Sequence, residues 1–380
     1  MVKQTSLKHK LIVSPFLGEH WILRAGDARG VKIRPHRYLE LQQATAQEET
    51  GLPDWLTGLA RRLWEIDLTG RPAQETLLVR EQSQLSYGRA SYELNMGCNW
   101  DCPHCYLGLK EFTGLPWPKR QHLLHILRDA GVLWLQITGG EPTIDPHFAA
   151  VYSLAYDLGM MIEVLTNGSR LHNKIILGLL TERRPYKITL SVYGATQETY
   201  EKTTQRKGAW KSFRDGVDAA HRADLPLEFS IIVTRDNEHE VDAMHALAKS
   251  YGAKIREYNN MTPTYFGTAS PLSTQSQTRQ RERQVFTGCD AGHTSLHVDP
   301  HGKASVCKVA RDHPIPLLEE GLDGLTKLGG IADKALLRQG GCTGCTLSSQ
   351  CSTCMPLAQR YRQASAPLGA YCQHGKPERG

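Results

Sequence analysis

No apolar run in the 380-residue chain approaches the roughly 18 residues that a membrane-spanning helix needs. The N-terminus, MVKQTSLKHKLIVSPFLGEH, has basic residues but lacks the long apolar stretch and small-residue cleavage site of a secretory signal. No concentrated basic patch stands out either. The 45 Lys and Arg against 39 Asp and Glu leave a net charge of only +6, which argues against a nucleic-acid partner. Apolar residues at 40% and charged ones at 22% exclude a disordered or collagen-like chain. What remains is a cytoplasmic globular protein, independent of membranes, with two or three domains at roughly 150 residues each.

Ten cysteines are present, which is the informative excess. A cytosolic chain does not carry structural disulfides as a rule, so their spacings point to metal.

The chain divides into three segments. Residues 1–88 form an α+β N-terminal domain. Strand-like stretches fall within 9–25 and 30–33, and helices within 35–47 and 54–66; 67–90 reads as a linker. Residues 89–262 alternate strand and helix. Strands are expected at 91–96, 132–138, 161–166, 187–192, 227–233 and 254–258, and helices at 119–130, 146–158, 171–181, 208–223 and 239–250. Six β-α repeats predict an α/β fold, a partial (β/α)6 TIM-like barrel with a parallel sheet and right-handed crossovers. Residues 263–380 begin with a polar, Ser/Thr/Gln-rich connection (262–284). They continue as a loop-rich unit with a thin apolar core, seven cysteines and a need for metal.

Cys98, Cys102 and Cys105 lie directly after the first barrel strand as C-N-W-D-C-P-H-C. Three thiolates on one tight loop can hold three irons of a cubane and leave the fourth open, whereas iron–sulfur clusters usually take four cysteines. A zinc knuckle completed by His104 or a distant group is the alternative. A loop at the carboxyl end of a parallel strand is where active sites gather. Gly139-Gly140-Glu141-Pro142 closes the second strand. There, glycines permit close backbone approach to a ligand and Glu141 can accept from an ammonium.

These two motifs resemble the radical S-adenosylmethionine (SAM) enzymes. The resemblance covers roughly residues 90–260. It implies a [4Fe–4S] cluster on Cys98, Cys102 and Cys105, with its free iron chelating the amino and carboxylate groups of SAM. His104 falls in the neighbourhood that meets adenine, and Gly139, Gly140, Glu141 and Pro142 meet the methionine amino group. It further places Ser191 at the ribose, Asn167 on the same rim and Arg206 toward the SAM carboxylate; a solvated charge at a helix start is the plainer reading of Arg206.

The other seven cysteines are Cys289, Cys307, Cys342, Cys345, Cys351, Cys354 and Cys372. They read C-x12-G-x4-C around Gly302, then C-x2-C-x5-C-x2-C, then C. This resembles the SPASM domain that carries two auxiliary [4Fe–4S] clusters in many radical SAM enzymes, with one residue fewer before Cys354. A four-cysteine zinc site at 342–354 is the alternative. The resemblance implies one auxiliary cluster on Cys342, Cys345, Cys351 and Cys372. The other takes Cys289, Cys307 and Cys354 with an open iron, which Asp290, His293, His301 or a substrate group can fill.

The family implies three [4Fe–4S] clusters, SAM and an electron donor such as a flavodoxin or ferredoxin. For a ribosomal-peptide maturase it also implies a precursor peptide as substrate, cross-linked oxidatively by a thioether or carbon–carbon bond. Residues 1–88 then read as a winged-helix peptide-recognition element that binds by strand addition. A formylglycine-generating maturase, a peptide epimerase and a zinc-scaffolded binding protein are the other readings. The epimerase is disfavoured because no thiol is left over as hydrogen donor.

Overall fold

The computed structural model describes residues 10–375. Residues 1–9, part of the stretch weighed above as a secretory signal, lie outside the described residues, as do 376–380. In the front segment, β1 (Leu11–Phe16), β2 (Glu19–Leu23) and β3 (Gly30–Ile33) are followed by α1 (Pro35–Ala46), α2 (Asp54–Trp64), α3 (Ala73–Thr76) and β4 (Leu77–Val79). The sheet order is β3-β2-β1-β4, antiparallel except for the β1–β4 pair. Leu17 and Gly18 both take positive φ, the two-residue hairpin geometry that matches strand twist. Leu56, Ala60 and Trp64, spaced along one face of α2, bury against Leu11, Val13, Ile22 and Leu41.

The linker expected at 67–90 is corrected: α3 and β4 lie in it, and β4 completes the sheet by pairing Leu77–Val79 with Leu11–Val13. Three residues carry too little periodicity to be read as a strand. Ile12 and Leu23 pack on Leu133 and Met161, so the front segment sits against the amino ends of the barrel strands. Arg80 reinforces that seam by donating to the carbonyls of Arg128 and Val132.

The barrel follows as β5 (Arg89–Glu93), α4 (Trp117–Asp129), β6 (Trp134–Thr138), α5 (Phe148–Asp157), β7 (Met161–Thr166), α6 (Lys174–Glu182) and β8 (Lys187–Val192). It continues through α7 (Gln197–Thr204), α8 (Ala209–Arg222), β9 (Leu227–Ile232), α9 (Val241–Ser250) and β10 (Lys254–Tyr258). The six strands pair in chain order, all parallel. Helix α7 was not foreseen; its QETYEKTT sequence has little apolar periodicity, but Thr196 caps it. Ala90, Tyr92, Leu135, Ile137, Ile162, Val164, Ile188, Leu190, Phe229 and Ile231 form the core beneath the helices. Many of the alternate residues of these strands, among them Ser91, Glu93, Gln136, Glu163, Thr189 and Glu228, are polar. A barrel packed to its centre would carry branched apolar residues there, so the polar set marks an interior built for contacts other than packing.

The sheet does not end with the six barrel strands. In the C-terminal segment, β11 (Ser295–Val298), β12 (Lys303–Ser305) and β13 (Ile315–Pro316) precede α10 (Leu317–Leu325), α11 (Leu328–Leu336) and α12 (Met355–Gln363). Strand β11 pairs in parallel with β5, which extends the sheet to nine strands. Leu296, Val298, Ile315, Leu317, Leu325 and Leu328 join the barrel's own core. The thin core expected here is therefore corrected: the segment's first half borrows its core from the barrel. Residues 262–284 are also no loose connection. Thr264, Pro271, Thr274 and Ser276 are buried, and the Gln275 amide donates to Asn259 O and accepts from Met261 N.

Candidate functional site at the carboxyl ends of the strands

Cys98, Cys102 and Cys105 sit on the loop leaving β5, partly buried against the core. Burial pushes the Cys98 thiol up to about 11 and raises Cys102 further, with the neighbouring thiols adding to both. All ten cysteines are free thiols. Among the described residues, no three His, Cys, Asp or Glu side chains are grouped as ligands of a single metal ion.

The Gly-Gly pair is required by this loop. A Cβ on Gly140 would lie 2.2 Å from Gly97 O, and one on Gly139, whose φ is 143°, would lie 2.3 Å from Asn95 O. Gly140 N donates to Asn95 O at 3.0 Å and Glu141 N to Gly97 O at 2.9 Å. Only glycine lets the two loops lie backbone to backbone.

Glu141 is fully buried. Its carboxylate accepts from Thr143 N at 3.0 Å, Thr143 Oγ1 at 2.5 Å, Thr166 Oγ1 at 2.7 Å and Asn167 N at 2.7 Å. Burial nonetheless raises its pKa. Three of these bonds fall on Oε1 and one on Oε2, and together they tie the end of β6 to the end of β7. Pro142 opens the buried turn that follows.

Asn167 joins this knot to the cysteine loop, donating from Nδ2 to Asn99 Oδ1 at 2.9 Å and lying 3.9 Å from Cys98 Sγ. The His104 ring lies 4.9 Å from that of Tyr193, its Nδ1 buried with no hydrogen-bond partner, and burial lowers its pKa to about 4. Ser191 is half-buried near the end of β8, where its carbonyl accepts from Tyr200. Arg206 does not join the group. It is exposed in the turn between α7 and α8, and its side chain makes no hydrogen bond or ion pair among the described residues.

Inside the barrel, Glu93 is wholly buried and accepts from Arg311 Nη1 and Nη2, both at 2.8 Å, and from Tyr106 Oη at 3.0 Å. Burial alone would raise its carboxyl, but the contacts with His297 and Arg311 outweigh that and hold it well below the usual range. Burial also keeps His297 neutral, 3.5 Å away, so Arg311 is the charge partner. Tyr265 stacks over the Arg311 guanidinium at 4.1 Å. Near the amino ends of the strands a cavity of about 550 Å³ is lined by Arg89, Gln136, Glu163, Lys187, Cys307 and Lys308. Sequence reasoning missed Glu93, Tyr106, Tyr193 and Arg311. The available signal was an acid two residues after Ser91, on the same face of the first barrel strand, and a tyrosine directly after Cys105.

The C-terminal thiols fall into two sets. Cys342, Cys345, Cys351 and Cys372 line one cavity of about 560 Å³. Arg362 donates to Cys342 Sγ at 2.8 Å, and Cys345 Sγ lies 3.3 Å from His374 Nε2. Cys354 is not part of that lining. Burial raises its thiol, and the electrostatic neighbours that add to the rise are Cys307 and Cys289. His293 is held by Asp333 on α11 at 2.8 Å, while His301 lies in the turn at the other end of β12 from Cys307.

The parallel strands thus carry the cysteine loop and the glycine pair together at their carboxyl ends. The description "Radical SAM superfamily" matches residues 92–248, so this stretch resembles a radical SAM domain, a class that uses SAM and a [4Fe–4S] cluster. More particularly, the chain resembles the maturases of ribosomally made peptides. It is 30% identical over 172 residues to the mycofactocin maturase MftC of Mycobacterium ulcerans, covering 44% of this chain and 45% of that one. It is 26% identical over 183 residues to the AdoMet-dependent heme synthase of Methanosarcina barkeri, covering 47% and 52%. The chain thus spans about half the length of these curated relatives. Its fold matches Streptococcus suis SuiB, solved with its precursor peptide SuiA, at a TM-score of 0.56 and 11% identity, covering 91% of this chain and 94% of that one. Among the described residues no helix is long and apolar enough to cross a membrane.

Proposed function

We propose that the protein forms an oxidative cross-link, a thioether or a carbon–carbon bond, in a ribosomally made precursor peptide. The observation that carries the reading is the partition of its ten thiols. Three share the loop at the carboxyl ends of the strands, four line one cavity, and Cys354 lies within electrostatic reach of Cys307 and Cys289. Three sets suit three [4Fe–4S] clusters, one at the SAM site and two auxiliary. The last set offers only three cysteines, and with His293 engaged elsewhere it leaves an iron open to a substrate group.

The residues around the first set fit SAM. Gly139 and Gly140 bring backbone close to the loop, and the buried, unpartnered His104 Nδ1 beside Tyr193 suits a heterocycle's edge. When bound, the cluster and SAM supply a carbon-centred radical that removes a hydrogen from the substrate. The chain's own residues prepare that event. Asn167 steadies the cysteine loop, Glu141 fixes the two strand ends beneath it, and Glu93 with Tyr106 anchors its far side. Bond formation from a carbon radical releases an electron, so further redox centres suit an oxidative outcome. A flavodoxin or ferredoxin supplies electrons at the start.

In the front sheet, among the described residues, β3 pairs only with β2, which leaves an edge for strand addition by a peptide. The maturase relatives, and a fold match that spans the front segment as well as the barrel, support a peptide substrate. The test is anaerobic incubation with the precursor peptide encoded beside this chain, followed by mass spectrometry. The reading expects loss of two hydrogens per cross-link. Accumulating 5′-deoxyadenosine with an unchanged peptide would reject it.

A further inference from the structure

Between Lys202 and Arg214 the chain reads KTTQRKGAWKSFR, five cations without one acid. The structure folds this stretch into the corner between α7 and α8. Lys202 pairs with Asp236 and Lys211 with Asp215, while Arg206 and Lys207 stand exposed without a side-chain partner among the described residues.

Two features connect this corner to the cysteine loop. Asp101, between Cys98 and Cys102 in sequence, donates its N–H to Thr204 O at 2.9 Å, so the loop rests on the last turn of α7. A column of aromatic rings also runs inward from the corner. Half-buried Trp210 lies 5.4 Å from Tyr200, and Tyr200 lies 5.6 Å from Trp100. Trp100 N in turn donates to Cys98 Sγ at 3.5 Å. The corner's unpaired cations, Arg206 and Lys207, stand beside Glu201, whose carboxylate accepts from Gly208 N at 2.9 Å, and the corner joins a packed path of rings to the cysteine loop.

We propose that the α7–α8 corner is the docking surface for an acidic electron-donor protein. The proposal rests on the iron–sulfur reading of Cys98, Cys102 and Cys105 and names the partner's place on it. Charge complementarity favours an acidic partner, and such steering raises encounter rates in a salt-dependent way. The closeness of the loop fits electron delivery better than peptide capture. One electron leaves the donor's reduced flavin, turning its hydroquinone to the semiquinone, and lowers the iron–sulfur core by one; no bond is made or broken. Arg206, read from the sequence as a SAM contact, takes its place on this surface instead.

The test is the full, cluster-loaded chain with Lys207→Glu and Lys211→Glu combined, titrated with oxidised flavodoxin at low and moderate salt. Affinity is expected to fall about tenfold or more at low salt, with wild-type affinity itself weakening as salt rises. Lys207→Arg with Lys211→Arg is expected to retain it, and reduction by dithionite is expected to be the same in all three proteins. Equal flavodoxin affinity in the wild type and the reversed variant would overturn the proposal. So would a reversed variant that loses affinity for the precursor peptide but not for flavodoxin. A wild-type protein lacking a visible absorption band bleached by dithionite would remove the iron–sulfur reading itself, a result distinct from either affinity.

Discussion

Glu93→Gln tests whether the barrel and the C-terminal segment are held together by one buried ion pair. The substitution keeps volume but removes the charge that accepts two bonds from Arg311 and one from Tyr106. The Arg311 side chain is only 12% exposed, so its guanidinium would remain nearly desolvated without a counter-charge. Breaking a buried pair on one side costs about 3–5 kcal/mol. Arg311→Met strands the carboxylate instead and is expected to cost about as much, about 3–5 kcal/mol. Removing both partners leaves no orphaned charge, so the double variant should recover most of either loss. The assay is urea unfolding of the anaerobic protein, read as a change in midpoint at constant slope. Single variants losing under about 1 kcal/mol, or losses that simply add in the double variant, would refute the reasoning.

Three further outcomes follow from the same geometry. Gly140→Ala puts a Cβ 2.2 Å from a backbone oxygen that cannot turn aside, which should cost about 1–3 kcal/mol and lower iron loading; unchanged iron and stability would contradict it. His297 is neutral in the fold with its pKa lowered from 6.5 by burial, so the unfolded chain takes up the proton first. Its contribution should be whole above about pH 6.5 and lost as pH falls below it. Glu93, held below its usual 4.5, adds a loss only in more acid solution. Unfolding midpoints between neutral and mildly acid pH check this, and a slope identical in His297→Asn would deny His297 the role. Precursor peptide should slow hydrogen exchange in β3, Gly30–Ile33; exchange that is unchanged there would remove the strand-addition reading.

The barrel strands were legible because short runs rich in β-branched residues, such as KITLSV and LEFSII, alternate with helical stretches. The cysteine loop and Gly-Gly pair were legible because their chemistry demands those residue types at close spacing. What escaped notice depends on distant partners. Strand β4 is defined by β1, more than 60 residues earlier in sequence, and β11 by β5, some 200 residues earlier. Segment 262–284 looked loose because its order comes from side-chain amides and hydroxyls rather than apolar periodicity. Glu141 drew attention as an acid able to meet an ammonium; that Thr143, Thr166 and Asn167 also bond to it is visible only from their positions in space. Arg206 matched a pattern in the sequence, and the structure leaves it exposed in the turn that follows α7.

The central claim is that the ten cysteines hold three iron–sulfur clusters, with the SAM-binding one on Cys98, Cys102 and Cys105. Its most direct test is iron and sulfide content of the anaerobic protein, alone and with those three cysteines replaced by Ala. The account predicts about twelve irons with matching sulfide in the wild type, and about four fewer in the triple variant with reductive SAM cleavage lost. Zinc in place of iron, or normal 5′-deoxyadenosine formation by the triple variant, would contradict it.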